Sequence, residues 1–219
     1  MSYAPNQLEE AISKAKTLSE QRKQRKFTET VEISVGLRDI DLKNPTNRIN
    51  METLVPNDLG GNISVAVFAE GDLATKSKES GLHTLGRKEI EQLSKEPKQA
   101  KKFANQYAFF LAEPPLMGVV ARFLGKILGP RGKMPKPIPP KVDIDKFVER
   151  YGRTVKLRLK STPVINAKIG KADLDNKVLT ENANAIIQTL TSKLPKGTTQ
   201  IKTVTIKTTM GPSTKVDKA

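Results

Sequence analysis

Hydrophobic positions change their period twice along the chain. Over residues 202–212, Val204 and Ile206 point to one side, while Thr203, Thr205, Lys207 and Thr209 point to the other. That alternation predicts a half-buried strand with a polar open face. It closes in Met210-Gly211-Pro212, where Gly211 lets the backbone approach another surface and Pro212 cannot continue a ladder. Residues 27–37 alternate in the same way. Phe27, Val31, Ile33, Val35 and Leu37 share one parity; Thr28, Thr30, Glu32 and Ser34 share the other. From Arg153, Val155, Leu157 and Leu159 alternate with Thr154, Lys156, Arg158 and Lys160, and residues 163–170 form a further strand candidate. Two amphipathic helices accompany these strands. Residues 7–26 place Leu8, Ala11, Ile12, Ala15 and Leu18 at helical spacing, and Leu179, Ala183, Ile186, Ile187, Leu190 and Leu194 mark another, stopped by Pro195 and Gly197. The first ends in Arg22, Lys23, Arg25 and Lys26, cations that suit a helix C-terminus as well as a nucleic acid.

The middle of the chain follows another style. Residues 63–69 and 107–112 are nearly continuous apolar runs, the pattern of strands covered on both faces. Between and after them the spacing predicts helices over 72–80, 87–93, 98–105 and 116–124, a short strand at 82–85, and a last helix over 144–151 capped by Asp143. Short strands at 53–56 and turns at 45–50 and 57–62 complete the reading. Strands alternating with helices imply a parallel sheet covered by helices. The fold class is therefore an α+β discontinuous domain, an antiparallel sheet with helices, plus an inserted α/β three-layer domain of Rossmann-like type. The boundaries are 1–62 with 153–219 for the first and 63–152 for the second, with a hinge at Gly60-Gly61 and Gly152.

Charge adds a partner to this picture. The 219 residues carry 38 Lys+Arg against 23 Asp+Glu, a net charge of +15 and a pI near 9.9. A surface this basic favours a polyanion, with nucleic acid first. The closing piece carries much of the excess, including Lys156, Arg158, Lys160 and Lys207 on its open faces. A second basic stretch at 114–142 holds Arg122, Lys126, Arg131, Lys133, Lys136 and Lys141 and no acid. Its glycines and prolines around residues 124–135 prescribe a particular backbone path. Only seven Phe and three Tyr occur, with no Trp, too few for single-strand binding by stacking and better suited to backbone and shape recognition. The absence of Cys excludes disulfides, thiol catalysis and thiolate metal sites. No apolar run approaches the eighteen or so residues of a membrane span, and residues 1–7 do not resemble a signal peptide.

Enzyme signals were each weighed against a structural role. A Walker loop ending at Gly132-Lys133 would need glycine where Ile127 stands and Ser or Thr where Met134 stands. No G-x-G-x-x-G follows the strand at 63–69. His83, the one histidine, has no nucleophile in an obvious motif with it. The pairs Asp143/Asp145 and Asp173/Asp175 each precede a helix and fit caps better than metal ligands. The expectation is a protein without catalytic residues, metal or cofactor. A nucleic-acid-processing enzyme and a general nucleic-acid-binding protein are the alternatives.

Three stretches together resemble one family. Residues 26–32, Lys-Phe-Thr-Glu-Thr-Val-Glu, resemble its opening strand. Residues 124–132, Leu-Gly-Lys-Ile-Leu-Gly-Pro-Arg-Gly, followed by Met134-Pro135, resemble its signature in the inserted domain, and residues 208–212, Thr-Thr-Met-Gly-Pro, resemble its closing motif. The family is that of ribosomal protein L1, the large-subunit protein of the mobile stalk on the tRNA exit side, and the similarity runs from about Leu8 to Val216 in archaeal or eukaryotic style. The resemblance implies binding of large-subunit ribosomal RNA at the stalk, with assistance to release of deacylated tRNA from the exit site. It also implies repression of translation through the protein's own messenger RNA. It implies a cytoplasmic, ribosome-bound protein, monomeric when free. Carried over by residue, the RNA face comprises Lys26, Phe27 and Thr30; Asn166, Lys168, Gly170 and Lys171; and Thr208, Thr209, Met210 and Gly211. Bacterial members commonly show His-Ala-Pro where Asn166-Ala167-Lys168 stands here, so Lys168 is expected to add a phosphate contact. Lys133 and Lys136 stand where bacterial relatives are often uncharged, an expected source of stronger RNA or tRNA contact. On parity alone Phe27 also fits the core, and Met210 also fits a cap on the sheet edge.

Overall fold

The structure, a computed structural model, describes residues 3–23, 25–44, 47–61, 64–138, 144–159 and 161–217. The Asp143 cap, Lys141, Lys160, Ile63 and part of the 45–50 turn lie outside the described residues. In chain order the elements are α1 (Pro5–Arg22), β1 (Thr30–Leu37), β2 (Asn50–Leu54), β3 (Val65–Phe68), α2 (Gly71–Glu79), β4 (His83–Leu85), α3 (Arg87–Lys95) and α4 (Pro97–Gln106). They continue as β5 (Phe109–Ala112), α5 (Pro114–Arg131), β6 (Lys136–Pro137), α6 (Ile144–Gly152), β7 (Thr154–Arg158), β8 (Val164–Lys171), α7 (Asn176–Lys193), β9 (Ile201–Thr208) and β10 (Thr214–Val216). The chain divides into two compact units, Met1–Gly61 with Arg153–Ala219, and Asn62–Gly152.

The first unit is an antiparallel sheet in the order β10-β9-β1-β8, with the antiparallel ribbon β2-β7 beside it. Alternation decides its faces. Val31, Ile33, Val35 and Leu37 of β1, Ile165, Ala167 and Ile169 of β8, and Val204 and Ile206 of β9 are buried in one core with the inner sides of α1 and α7. On the open face, Glu32 of β1 pairs with Lys168 on one side and Lys207 on the other, and Ser34 pairs with Asn166 and Thr205. The α1 periodicity holds at Leu8, Ala11, Ile12 and Ala15, all buried. It departs at the end. Leu18 is 42% exposed, and Ser19, four residues after Ala15, turns inward to a polar partner described below. The helix stops at Arg22, so Arg25 and Lys26 belong to the following loop, and β1 starts at Thr30 rather than Phe27.

One irregularity in this sheet has consequences for the interface. Val31 pairs with Gly170 and Glu32 with Lys168, which leaves Ile169 as the extra residue of a β-bulge. The Ile169 carbonyl accepts a hydrogen bond from Nδ2 of the buried Asn182 on α7, at 2.9 Å. Asn182 Oδ1 in turn accepts the Asn57 N–H, at 3.0 Å. A buried amide with both ends paired is stabilising where an unpaired one would not be. Gly170 then adopts φ +154°, and a Cβ there would lie 2.6 Å from Leu179 Cδ2.

The second unit is a parallel sheet in the order β4-β3-β5-β6. Both of its faces are buried, as the continuous apolar runs require. Ala66, Phe68, Phe110 and Ala112 pack with α3, α4 and α5; Val65, Val67, Phe109 and Leu111 pack with α2 and α6. The result is three layers. The helix expected to end at Leu124 continues through Gly125, Gly129 and Pro130 to Arg131. Leu116, Val120, Leu124 and Leu128 recur every four residues and are all buried, and that burial outweighs the poor helix propensity of the glycines. Gly132 ends the helix in the left-handed conformation, with its N–H donating to Gly129 and the Lys133 N–H donating to Leu128.

Three cations at the end of this stretch, Arg131, Lys133 and Lys136, are engaged within the unit. Lys133 Nζ donates to the Ala104 and Tyr107 carbonyls, both at 2.7 Å, at the C-terminus of α4, where backbone acceptors lack helical partners. Burial lowers the Lys133 pKa, and the Arg131 charge acts in the same direction. Arg131 donates to the Ile127 carbonyl and to Asn105 Oδ1, and Lys136 lies 5.7 Å from the centre of the Tyr151 ring. Because its ammonium is held by two carbonyls of its own unit, Lys133 has a structural role that does not depend on RNA. Lys133→Met should lower the stability of this unit by about 1–2 kcal/mol and leave RNA affinity within about twofold, about 0.4 kcal/mol. Thermal unfolding followed by tyrosine absorbance (Tyr107 and Tyr151) and an RNA titration read the two effects separately.

Candidate nucleic-acid interface

One end of the antiparallel sheet gathers three separate pieces of chain: the loop before β1, the end of β8 and the turn after β9. Their organiser is Glu29, an acid at a core-parity position directly before β1. Its carboxylate accepts the Ser19 hydroxyl at 2.5 Å, the Met210 N–H at 2.9 Å and the Thr208 hydroxyl, with the Arg25 charge nearby. Burial by these neighbours raises its pKa, but the hydrogen bonds and Arg25 outweigh that and the net shift is downward. Glu29 is thus a charged acceptor that ties α1 to the closing turn.

The turn itself is internally bonded. Thr208 is 1% exposed on the core face, and its hydroxyl also accepts the Gly211 N–H at 3.1 Å. A Cβ on Gly211 would run into Thr208 Oγ1 and lie 3.0 Å from Ser19 Cβ, so the missing side chain is required by the fold. Thr209 Oγ1 accepts the Thr30 N–H at 3.0 Å and donates to the Thr30 carbonyl at 3.2 Å, extending the β1/β9 ladder by a side chain. Lys171 pairs with Thr30 across the β1/β8 ladder, and its Nζ lies 3.4 Å from the Thr28 carbonyl.

The sequence-derived set therefore separates into two groups. Thr208, Gly170 and Gly211 face inward or engage their polar atoms within the turn, and Thr30 is half-buried with its backbone bonded; they shape the surface and do not form its outer layer. Lys26, Phe27, Thr209 and Met210 are exposed around the turn, Lys171 borders it half-buried, and Asn166 and Lys168 are exposed further along β8 on the open face. Crowding lowers the Lys168 pKa, the Asp58 carboxylate opposes that, and Lys171 reinforces it. Phe27 is 55% exposed and Met210 52% exposed, so neither is core. Beside them lies a cleft of about 460 Å³ lined by Lys23, Arg25, Phe27 and Glu29 together with Ser19 and Asp173.

Sequence reasoning missed Ser19 and Glu29, and named Arg25 only within the basic end of the first helix. A signal was present for Glu29, since it shares the parity of Val31, Ile33 and Val35, where an acid needs an internal partner. Asp175 occupies the N-cap position of α7 without a side-chain cap bond. The Asp173 and Asp175 charges instead act on Lys16, whose Nζ donates to the Leu174 carbonyl at 2.7 Å. His83 opens β4 and stacks on the Tyr107 ring at 5.5 Å. Among the described residues, no group of His, Asp or Glu side chains could hold a metal ion, and no helix is long and apolar enough to cross a membrane.

Comparison with known proteins agrees with this architecture. A large ribosomal subunit protein uL1 of Thermococcus kodakarensis is 42% identical over 219 residues, covering 100% of both chains. Its namesake in Pyrococcus horikoshii is 40% identical over 218 residues, covering 99% of this chain and 98% of the other. That of Methanothermobacter thermautotrophicus is 41% identical over 208 residues, covering 94% and 97%. The family model described as ribosomal protein L1p/L10e matches residues 17–212, which include the opening strand, the α5 signature and the closing turn. With that match over most of its length and full-length relatives at about 40% identity, the chain belongs to the ribosomal protein L1p/L10e family, whose members are ribosomal proteins and not enzymes.

Proposed function

We propose that the protein is a structural constituent of the large subunit of the cytoplasmic ribosome and binds large-subunit ribosomal RNA through the end of its antiparallel sheet. The observation that carries this reading is the exposure of two apolar side chains at this end of the sheet, Phe27 in the loop before β1 and Met210 in a closing turn whose own polar groups are bonded internally. Such a turn loses little conformational freedom on binding, so contact area converts into affinity efficiently. Lys26 and Lys171 border it and Lys168 lies further along β8; these supply the phosphate attraction, while Phe27, Met210 and the turn's shape select a folded RNA. A matching fold in the protein's own messenger RNA would occupy the same surface, and competition between the two RNAs would produce translational repression. Contact with exit-site tRNA would fall to the exposed cations Arg122 and Lys126 of α5, since Lys133 is engaged.

A salt-dependent titration of the full chain tests this. The ligands are a stalk fragment of large-subunit ribosomal RNA, a DNA duplex and an unrelated RNA hairpin, for the native chain and for Met210→Ser. The native chain should prefer the stalk fragment and hold it in moderate salt. Met210→Ser should weaken that complex about 10- to 30-fold, the effect of removing about 1.5–2 kcal/mol of apolar burial. Equal binding of all three ligands, falling steeply with salt and indifferent to the substitution, would leave only the net charge as the source of affinity.

A further inference from the structure

The β2-β7 ribbon and the loop after β1 carry a second surface that the closing turn does not use. That loop starts beyond Leu37, about 23 Å from Thr30 at roughly 3.3 Å per residue of strand. The Leu37 N–H donates to Pro163 and the Arg38 N–H to Gln200, which fastens the end of β1 to the starts of β8 and β9, and the Leu159 N–H donates to Ile49, which fastens the end of β7 to the approach to β2. The fastening leaves a cleft of about 680 Å³, within the range of small-ligand sites, about 300–1,000 Å³. Leu42, Ile49 and Leu159 line it with apolar surface, Lys43, Arg48 and Arg158 add cations, and no acid is among its described lining residues. Asp41 stands close by, with its Oδ1 accepting the Lys43 N–H at 2.9 Å. Across Ile49 a smaller cleft of about 240 Å³ adds Lys193 and Lys196 against Asp39.

We infer that this cleft is a second RNA contact, taking a single-stranded nucleotide with its base on the half-buried Leu42 and Ile49 side chains and its phosphates on Lys43 and Arg48. The chemistry of the lining selects this occupant. A hydrophobic segment would leave the cationic rim unmatched, and an acidic peptide would leave the apolar floor unmatched; a nucleotide presents a flat, weakly polar face and an anion within one residue. The inference does not rest on the closing-turn reading, because the two surfaces are built from different residues.

The test uses the full chain and a fluorescent ten-residue oligouridylate. Lys43→Gln/Arg48→Gln removes two rim charges from exposed side chains. Lys76→Gln/Lys78→Gln, on exposed positions of the other unit, makes the same change in net charge. The rim variant should weaken binding at least about fivefold and flatten the slope of log affinity against log salt by about 1.4, two single-strand phosphate contacts. The control variant should change affinity less than about twofold, and inorganic polyphosphate of equal charge should compete less well than unlabelled oligouridylate. Equal losses in the two variants would overturn the inference, as would polyphosphate competing equally. A polyglutamate peptide of equal charge binding more tightly than the oligonucleotide would overturn it in favour of an acidic protein partner. Circular dichroism of both variants confirms that the fold is retained.

Discussion

Glu29→Ala is expected to lower the stability of the discontinuous unit by about 2–3 kcal/mol and to weaken binding of the stalk RNA fragment about 30-fold. The substitution removes an acceptor that holds the Ser19 hydroxyl, the Met210 N–H and the Thr208 hydroxyl together. Those donors then lack partners in a shielded place. Met210 loses the backbone bond that ties it to Glu29, and the RNA must order the turn on arrival. Glu29→Gln keeps one carbonyl acceptor and should fall between the native chain and Glu29→Ala. The pH dependence has a defined sign. The folded pKa of Glu29 lies below the ordinary carboxylate value of 4.5. Its contribution is therefore complete above about 4.5 and is lost as pH falls from there through the lower folded value. Urea unfolding between pH 3 and 7 should show this acid-dependent component in the native chain and its absence in Glu29→Ala. Identical pH profiles for the two proteins would exclude Glu29 as the charged organiser of the turn.

Gly170→Ala should lower the stability of the same unit by about 3 kcal/mol, from backbone strain and overpacking of about 1–3 kcal/mol each. At φ +154° an L side chain is strained, and the added Cβ would meet Leu179 Cδ2 at 2.6 Å and Leu174 Cδ1 at 2.9 Å. Leu179 is fully buried and has nowhere to move, whereas Leu174 is half-buried and can yield. The bulge would relax first, drawing Lys171 away from Thr28 and Thr30. Hydrogen exchange should therefore show early loss of protection at Val31 and Lys171, with the parallel sheet of the other unit unchanged. RNA affinity should fall less than in Glu29→Ala, because Gly170 shapes the edge of the interface and does not touch its apolar pair. An unchanged melting temperature would mean that the bulge absorbs a Cβ freely.

Much of the fold was legible in the sequence. The alternation at Val31, Ile33 and Val35 and at Val204 and Ile206 located two central strands, and the three- and four-residue recurrence of Leu179, Ala183, Ile187 and Leu190 located α7. The continuous runs at 63–69 and 107–112 marked the strands covered on both sides. A periodic pattern records which side of each element is buried, and burial is the dominant favourable term in folding. Boundaries were less legible. α5 runs past its glycines because Leu128 extends the buried stripe, and β1 starts after Phe27 because Glu29 draws the chain into the turn.

The sequence by itself therefore determined the two styles of sheet, the basic character of the surface and the position of the closing turn in the chain. Tertiary structure decided which residues of that turn face outward. Thr208 and Thr209 are adjacent and chemically identical, yet one is buried against Glu29 and the other is exposed over Thr30. It likewise decided that Lys133 closes α4. The partners involved are 10 residues apart for Ser19 and Glu29, 29 for Lys133 and Ala104, and 181 for Met210 and Glu29. Local periodicity carries no information about a hydrogen bond across such separations, because the geometry of that bond exists only once the sheet has brought the strand ends together.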